Sequence, residues 1–237
     1  MEKILLSLLL LVKGTEILAQ KDMDGKVFLF YEETNNSYVH LMPEKNGPFN
    51  AFTVCLRFYT ILAREYSLFS FATPSKDNDL LLFIYPNQRQ LSLSVGNQDL
   101  YFDLKEENIM QWKSICVSWE SSTGVVVLWV NGTPYPRKVF QKGYSINANP
   151  IIMIGQEQDS YGGKFNNKQC FVGEISDVQM WDSALSSKNI NNILSSKLIT
   201  GNVVNWKSLK YNIYGKSILL EDVCPVYYIP GCLQGHA

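Results

Sequence analysis

Short runs of β-branched and aromatic residues recur along the chain and are separated by turn signals. Seven such runs predict strands, at 27–31, 52–59, 80–85, 91–95, 115–119, 125–130 and 151–154. The run at 91–95 alternates strictly between apolar residues and serine, so we expect it to bury one face only. Many short strands of this kind are typical of an antiparallel sandwich, and the pattern predicts an all-β fold of two antiparallel sheets.

One segment departs from the β pattern. Ile190, Ile193 and Leu194 recur at the i, i+3, i+4 spacing of a helix. Ser186 or Ser187 precedes them and can accept the first free backbone N–H groups. We therefore predict a single short helix.

The N-terminus is typical of a secretory signal peptide. Residues 4–12 are almost wholly apolar, and a polar stretch follows that ends at Ala19. This apolar run is about half of the roughly 20 residues that a membrane span needs, so no membrane insertion is expected. We predict a signal peptide at 1–19, a single domain at 20–216 and a C-terminal tail with two cysteines at 217–237, in a secreted, extracellular protein.

Composition and charge exclude several classes of function. The chain has 237 residues, 46% of them hydrophobic, with 21 Lys and Arg against 22 Asp and Glu and a formal net charge of -1. A chain without excess positive charge lacks the basic field that binding to a nucleic-acid backbone requires. Its two histidines, His40 and His236, leave little material for histidine acid/base chemistry or zinc ligation.

The chain has five cysteines, and in an oxidising compartment cysteines are expected to form disulfides. An odd number cannot all pair within one chain. A bridge between Cys55 and Cys116 would join two predicted strands. Cys224 and Cys232 flank a turn-forming segment and are a possible second pair, which leaves Cys170. We expect at least one odd thiol to bridge subunits, through tail-to-tail or tail-to-Cys170 contacts; a free buried thiol at Cys170 is the alternative.

Two glycosylation sequons begin at Asn35 and Asn131. Asn131 is followed by Gly132 directly after the predicted strand 125–130, and Asn-Gly is a strong hairpin signal. The second sequon is therefore expected at an exposed turn.

The chemistry is concentrated in a loop at 155–169, which is dense in side-chain oxygen. Glu157 and Asp159 would project to the same face of an extended chain. A glycine pair after them lets the loop fold back, so that Asn166 and Gln169 can approach. Carboxylate, amide and carbonyl oxygens suit calcium. The alternative is a loop whose polar residues simply face water.

Several ordered segments resemble the pentraxin family, and most closely its short secreted members. They lie at 51–55, 116–121, 155–165, 171–175, 180–182 and 204–206, within a match that spans about 20–215. The resemblance implies a lectin-like flattened jelly-roll sandwich, two calcium ions per subunit on one face, and a homo-oligomeric ring, usually of five subunits.

The resemblance also implies the metal ligands. The first calcium would be held by Asp77, Asn78, Glu157, the backbone carbonyl of Gln158 and Asp159, and the second by Glu157, Asp159, Gln169 and position 166. The family has an acid at that last position, whereas this chain has Asn166. A neutral ligand predicts a weaker second site.

The favoured ligand of the calcium face is phosphocholine. By resemblance, Phe83 would offer an aromatic face to the choline methyls, Ser94 would leave a pocket, and Asp99 would meet the quaternary ammonium. The alternative is a binder of phosphoethanolamine, acidic sugars or other polyanions. Complement contact is doubtful, because Asn131 and Leu194 replace an acid and a tyrosine of the family members that engage complement.

An enzymatic function is disfavoured. Glu157 and Asp159 resemble the start of the Glu-x-Asp-x-Glu pattern of lectin-like glycoside hydrolases, but Tyr161 stands where the third carboxylate would be. Glycoside hydrolysis needs a complete acid and nucleophile pair. The sequence also contains no Gly-x-Ser-x-Gly elbow.

Overall fold

A computed structural model describes residues 22–105, 111–196 and 199–221. The predicted signal peptide and the two tail cysteines, Cys224 and Cys232, lie outside the described residues. Within them, no helix is long and apolar enough to cross a membrane.

The described residues form fifteen strands. In chain order these are β1 (Lys26–Phe30), β2 (Tyr38–Met42), β3 (Ala51–Tyr59), β4 (Tyr66–Thr73), β5 (Lys76–Tyr85), β6 (Gln90–Val95), β7 (Gln98–Asp103), β8 (Lys113–Glu120), β9 (Val125–Val130), β10 (Thr133–Pro134), β11 (Lys138–Val139), β12 (Ile151–Ile154), β13 (Gly173–Trp181), β14 (Lys210–Tyr214) and β15 (Ile218–Glu221). Short 3₁₀ turns cover Pro86–Gln88 and Trp206–Ser208.

The strands build two antiparallel sheets, which confirms the predicted fold class. An eight-stranded sheet has the order β10-β9-β8-β3-β13-β1-β15, with β11 also paired to β9. A seven-stranded sheet has the order β14-β2-β12-β4-β5-β6-β7. Many neighbours in space are distant in sequence, as in a jelly-roll sandwich.

All seven predicted runs are strands, and the sequence pattern missed several others. The strand predicted at 80–85 begins earlier, at Lys76. The missed β4 is buried along its whole length, so it has no alternation to detect. The missed β13 contains polar residues and a register shift between Ser176 and Gln179, which interrupts the period of two.

The core lies between the sheets and follows the predicted alternation. Leu91, Leu93 and Val95 of β6 are fully buried in it. Ser92 and Ser94 therefore project to the outer face of the seven-stranded sheet. This outer face carries the candidate site.

The outer face of the other sheet is covered by the helix α1 (Ser187–Ser196), at the place predicted. Ser186 Oγ accepts the N–H of Asn189 at 3.3 Å, which caps the first turn. Ile190 and Ile193 pack in a second apolar cluster with the Cys55–Cys116 disulfide, whose cysteines lie opposite each other on β3 and β8.

The disulfide generates a stability prediction. Replacing both Cys55 and Cys116 with Ala should lower the free energy of unfolding by about 4 kcal/mol, because the bridge restricts an unfolded chain over a separation of 61 residues. Denaturant unfolding of the double variant measures this. Cys170→Ala, which removes a buried thiol but no bridge, should cost less; equal losses would contradict the prediction.

Candidate functional site

The candidate site begins where the chain leaves β12. Gly155 has φ +93°, and a Cβ built there would lie 2.2 Å from the Phe30 ring, so only glycine fits. The Gly155 carbonyl accepts the N–H of Phe171 at 3.0 Å. The close approach of Gly155 to Phe30 and its hydrogen bond with Phe171 close the base of the 156–170 loop.

Gln158 fastens the loop to the sheet. Its Nε2 donates to Ser70 Oγ at 3.1 Å and to the Ile151 carbonyl at 3.1 Å, and its Oε1 accepts the Gly162 N–H at 3.0 Å. The side chain is fully buried. Because this amide is already bonded on both sides, the oxygen that Gln158 can offer to a cation is its backbone carbonyl, as the resemblance implies.

Asp79 fixes the part of the site on β5, which carries Asp77 and Asn78. Sequence reasoning missed this role. Its buried carboxylate accepts hydrogen bonds from Thr73 Oγ1 at 2.8 Å, Tyr144 OH at 2.6 Å and the Asn147 N–H at 3.0 Å. Burial and the bond to Asp79 both raise the pKa of Tyr144, which keeps it a donor. The network holds the start of β5, where Asp77 and Asn78 lie.

Asp77 and Asn78 are oriented by Asn97, a residue that sequence analysis did not predict to be part of the site. Asp77 Oδ1 accepts Asn97 Nδ2 at 2.6 Å, and Asn97 Oδ1 accepts the Asn78 N–H at 3.1 Å. Asn97 has φ +63°, a conformation that asparagine tolerates better than most residues.

Three predicted ligands, Asp77, Asn78 and Asp159, come together around a fourth, Glu157, which is 2% exposed. Burial raises the pKa of Glu157 to about 7, and the charges of Asp159 and Asp77 raise it too, while a hydrogen bond with the Asn78 side chain lowers it. The site thus brings three acids together, of which Glu157 is buried, Asp77 half-buried and Asp159 exposed.

Three predicted ligands carry a buried oxygen without a hydrogen-bond partner. They are Asn78 Oδ1, Glu157 Oε2 and Gln169 Oε1, among six such side-chain atoms in the part of the chain that the structure describes. An unpaired buried acceptor costs about 1–3 kcal/mol. Since all three are acceptors, a hard cation would satisfy them, and their chemistry fits calcium.

Gln169 lies at the far end of the loop, and its carbonyl accepts the Ser67 N–H at 3.0 Å. Asn166 is exposed, and its Oδ1 accepts the Lys168 N–H at 3.0 Å. The described residues contain no group of three or more His, Cys, Asp and Glu that could hold a metal. The candidate site therefore depends on amide and backbone oxygens as well as carboxylates.

Arg64 holds the segment that bears Gln169. Its Nη1 donates to the carbonyls of Lys168 at 3.0 Å and Cys170 at 2.7 Å, and its Nε contacts Glu33 at 3.2 Å. Glu33 also pairs with Lys168 at 2.8 Å. No sequence motif indicated this clamp, because its members are distant along the chain.

The predicted ligand-binding residues lie on the outer face of β5, β6 and β7. Ser94 pairs in register with Asp99, and its Oγ donates to Asp99 Oδ1 at 2.5 Å. Phe83, which was expected to offer an aromatic face to the choline methyls, is only 3% exposed. The ring of Tyr85 lies 4.9 Å from it, so the aromatic surface in contact with solvent is not that of Phe83.

Cys170 is an unpaired, buried cysteine, the alternative that sequence analysis left open. Arg64 Nη2 donates to its Sγ at 3.3 Å. Cys170 is 1% exposed, so its thiol is buried within the single subunit.

The asparagines of both sequons are exposed. Asn131 lies in the turn between β9 and β10 with φ +49°, and its Oδ1 accepts the Ser114 N–H at 2.9 Å. A Cβ built at Gly132 would lie 4.0 Å from Leu194 Cδ1. The turn that carries Asn131 is therefore close to Leu194 on the helix.

Known proteins resemble this chain over most of its length. Residues 26–220 match the Pentaxin family. C-reactive protein of Sus scrofa is 42% identical over 225 residues, which are 95% of this chain and 100% of that protein. Serum amyloid P-component of Cavia porcellus is 44% identical over 198 residues, 84% of this chain and 88% of that protein.

A solved structure shares the fold. The crystal structure of a native heptameric SAP-like pentraxin from Limulus polyphemus has a TM-score of 0.79 at 26% identity and covers 86% of this chain and 98% of its own. With a family match over most of the described residues and relatives above 40% identity, this chain belongs to the pentraxin family, whose members are non-enzymatic recognition proteins.

Proposed function

We propose that this pentraxin is a secreted, calcium-dependent pattern-recognition protein that binds phosphocholine-type ligands on microbial or damaged-cell surfaces. The observation that carries the proposal is the set of buried acceptor oxygens on Asn78, Glu157 and Gln169, which have no donor among the described residues. Two calcium ions per subunit would give them partners.

The proposed first ion is held by Asp77, Asn78, Glu157, the carbonyl of Gln158 and Asp159, and the second by Glu157, Asp159, Gln169 and Asn166. Bound calcium would supply the positive charge that phosphate oxygens coordinate. Asp79, Gln158 and Arg64 keep the acceptors in place. At the far end of the ligand, Asp99 supplies negative charge for an ammonium group, and Ser94 orients its carboxylate.

The second candidate is a binder of phosphoethanolamine, acidic sugars or other polyanions, as a serum amyloid P-like protein. The relative of that name at 44% identity supports it. So does the burial of Phe83, because a covered ring offers less contact to choline methyls.

We propose that the chain assembles as a homo-oligomeric ring and place it with the secreted members of the family. The Limulus relative is heptameric, and five subunits remain our proposal here. The same proposal includes the signal peptide at 1–19 and the tail at 217–237 with its Cys224–Cys232 pair. It also includes glycans on Asn35 and Asn131. A glycan on Asn131 would add bulk to the turn whose next residue, Gly132, lies close to Leu194, and would hinder complement contact.

Calcium removal should abolish binding to immobilised phosphocholine, because the proposed phosphate contacts pass through the metal. Glu157→Ala and Asp159→Ala should each reduce binding in calcium to the level with chelator. Glu44→Ala, which removes an exposed acid paired with Lys210, should leave binding unchanged. Binding that persists in chelator would contradict the proposal.

The two calcium sites should be unequal, and Asn166→Asp should tighten the weaker one several-fold, since affinity in such loops follows ligand charge. An aspartate can keep the bond to the Lys168 N–H and adds a charged oxygen. Calorimetry measures both sites. Asn167→Asp adds the same charge at the adjacent exposed position, and an equal gain there would argue against a ligand role for Asn166.

Arg64→Gln should raise the calcium concentration for half-saturation by about tenfold, because supporting residues around metal ligands typically contribute that much. The variant loses the bonds to the carbonyls of Lys168 and Cys170 on either side of Gln169. Calorimetry again provides the measurement. Arg137→Gln, at an exposed position between β10 and β11, serves as the matched control.

A further inference from the structure

Three aromatic rings form a row on the outer face beside the candidate calcium site. The ring centroids of Phe83 and Tyr85 are 4.9 Å apart, and those of Tyr85 and Tyr101 are 6.1 Å apart, with interplanar angles of 52° and 50°. Ser92 of β6 pairs with both Phe83 and Tyr101, so the row crosses three strands. We call these three residues the aromatic row.

Exposure increases along the aromatic row. Leu82 and Ile84 belong to the core, so Phe83 between them must point to the outer face. Phe83 is nevertheless 3% exposed, Tyr85 is half-buried and Tyr101 is 41% exposed. A ligand that approaches this face therefore meets the two tyrosines first.

Tyr85 is influenced by charges from both parts of the site, Asp99 and Glu157. Burial raises its pKa to about 12, and the charges of Tyr101, Asp99 and Glu157 contribute in the same direction. It therefore stays neutral at physiological pH, within electrostatic range of the proposed metal carboxylates and of the acid that would meet an ammonium group. The Tyr101 hydroxyl contacts Asp99 Oδ2 at 3.4 Å.

We propose that Tyr85 is a specificity-determining residue, whose ring packs against the half of the aromatic row that includes Phe83 and limits access to it, and thereby sets the balance between trimethylammonium and primary ammonium heads of phosphorylated ligands. This inference rests on the proposed calcium-dependent function. A trimethylammonium head is bulky, donates no hydrogen bonds and gains from contact with an open aromatic face. A primary ammonium is smaller and can donate to Asp99, so the covered ring disfavours it less.

The test compares affinities for phosphocholine and phosphoethanolamine in calcium, by calorimetry on the full chain. Tyr85→Ser should uncover Phe83 and raise the phosphocholine to phosphoethanolamine affinity ratio by about tenfold, which corresponds to one cation–π contact of middle strength. Tyr85→Phe keeps the ring and should keep the wild-type ratio. Tyr31→Ser, at an exposed tyrosine after β1, should also leave it unchanged.

The outcomes separate this inference from the function on which it rests. An unchanged ratio in Tyr85→Ser, with calcium-dependent binding intact, overturns the role of Tyr85 alone. Phosphocholine binding gained by Tyr85→Ser where the wild type has none supports it. If no variant binds either ligand in calcium, the proposed function fails and the inference falls with it. Tyr85→Thr, which suits a strand, repeats the test if the serine variant does not fold.

Discussion

The structure depends on keeping acceptor oxygens buried where no protein donor reaches them. Glu157 is nearly inaccessible to water, one of its oxygens has no partner, and its nearest charged neighbours are also acids. Such a group opposes folding unless a cation compensates it. The surrounding contacts therefore have to be strong enough to hold the site in place before any metal arrives.

In those supporting contacts the polar atoms have hydrogen-bond partners, whereas several acceptor oxygens of the site do not. The Asp79 carboxylate accepts four hydrogen bonds, one each from Thr73 and Tyr144 and two from the backbone and side chain of Asn147. Gln158 uses both ends of its amide. Fully bonded buried groups are rigid, whereas unpaired ones cost free energy, so the supporting residues differ in kind from the proposed metal ligands.

The two outer faces of the sandwich have different roles. One is closed by α1 and the Cys55–Cys116 bridge, which together bury Trp129 and Trp181. The other carries the serines of β6 and the aromatic row, in which Tyr101 is 41% exposed. Because the sheets share one core, stabilising the first face also holds the strands that present the second.

The sequence by itself determined the sandwich, the helix and the position of the oxygen-rich loop. Each of these depends on local information: alternation in β6, helical spacing from Ile190, and a run of oxygen-bearing side chains after β12. The resemblance to pentraxins supplied the distant ligands Asp77 and Asn78, which spacing alone does not connect to Glu157. The structure places all three together.

Only the tertiary structure decided which side chains support the site and which are covered. The clamp of Arg64 joins residues more than 100 positions apart, and the Asp79 network does so over 65 and 68 positions. Phe83 is 3% exposed and the Tyr85 ring packs beside it, whereas a strand pattern predicts only the face to which each side chain points. Periodicity gives the direction of a side chain, whereas its neighbours in space follow from how the whole chain folds.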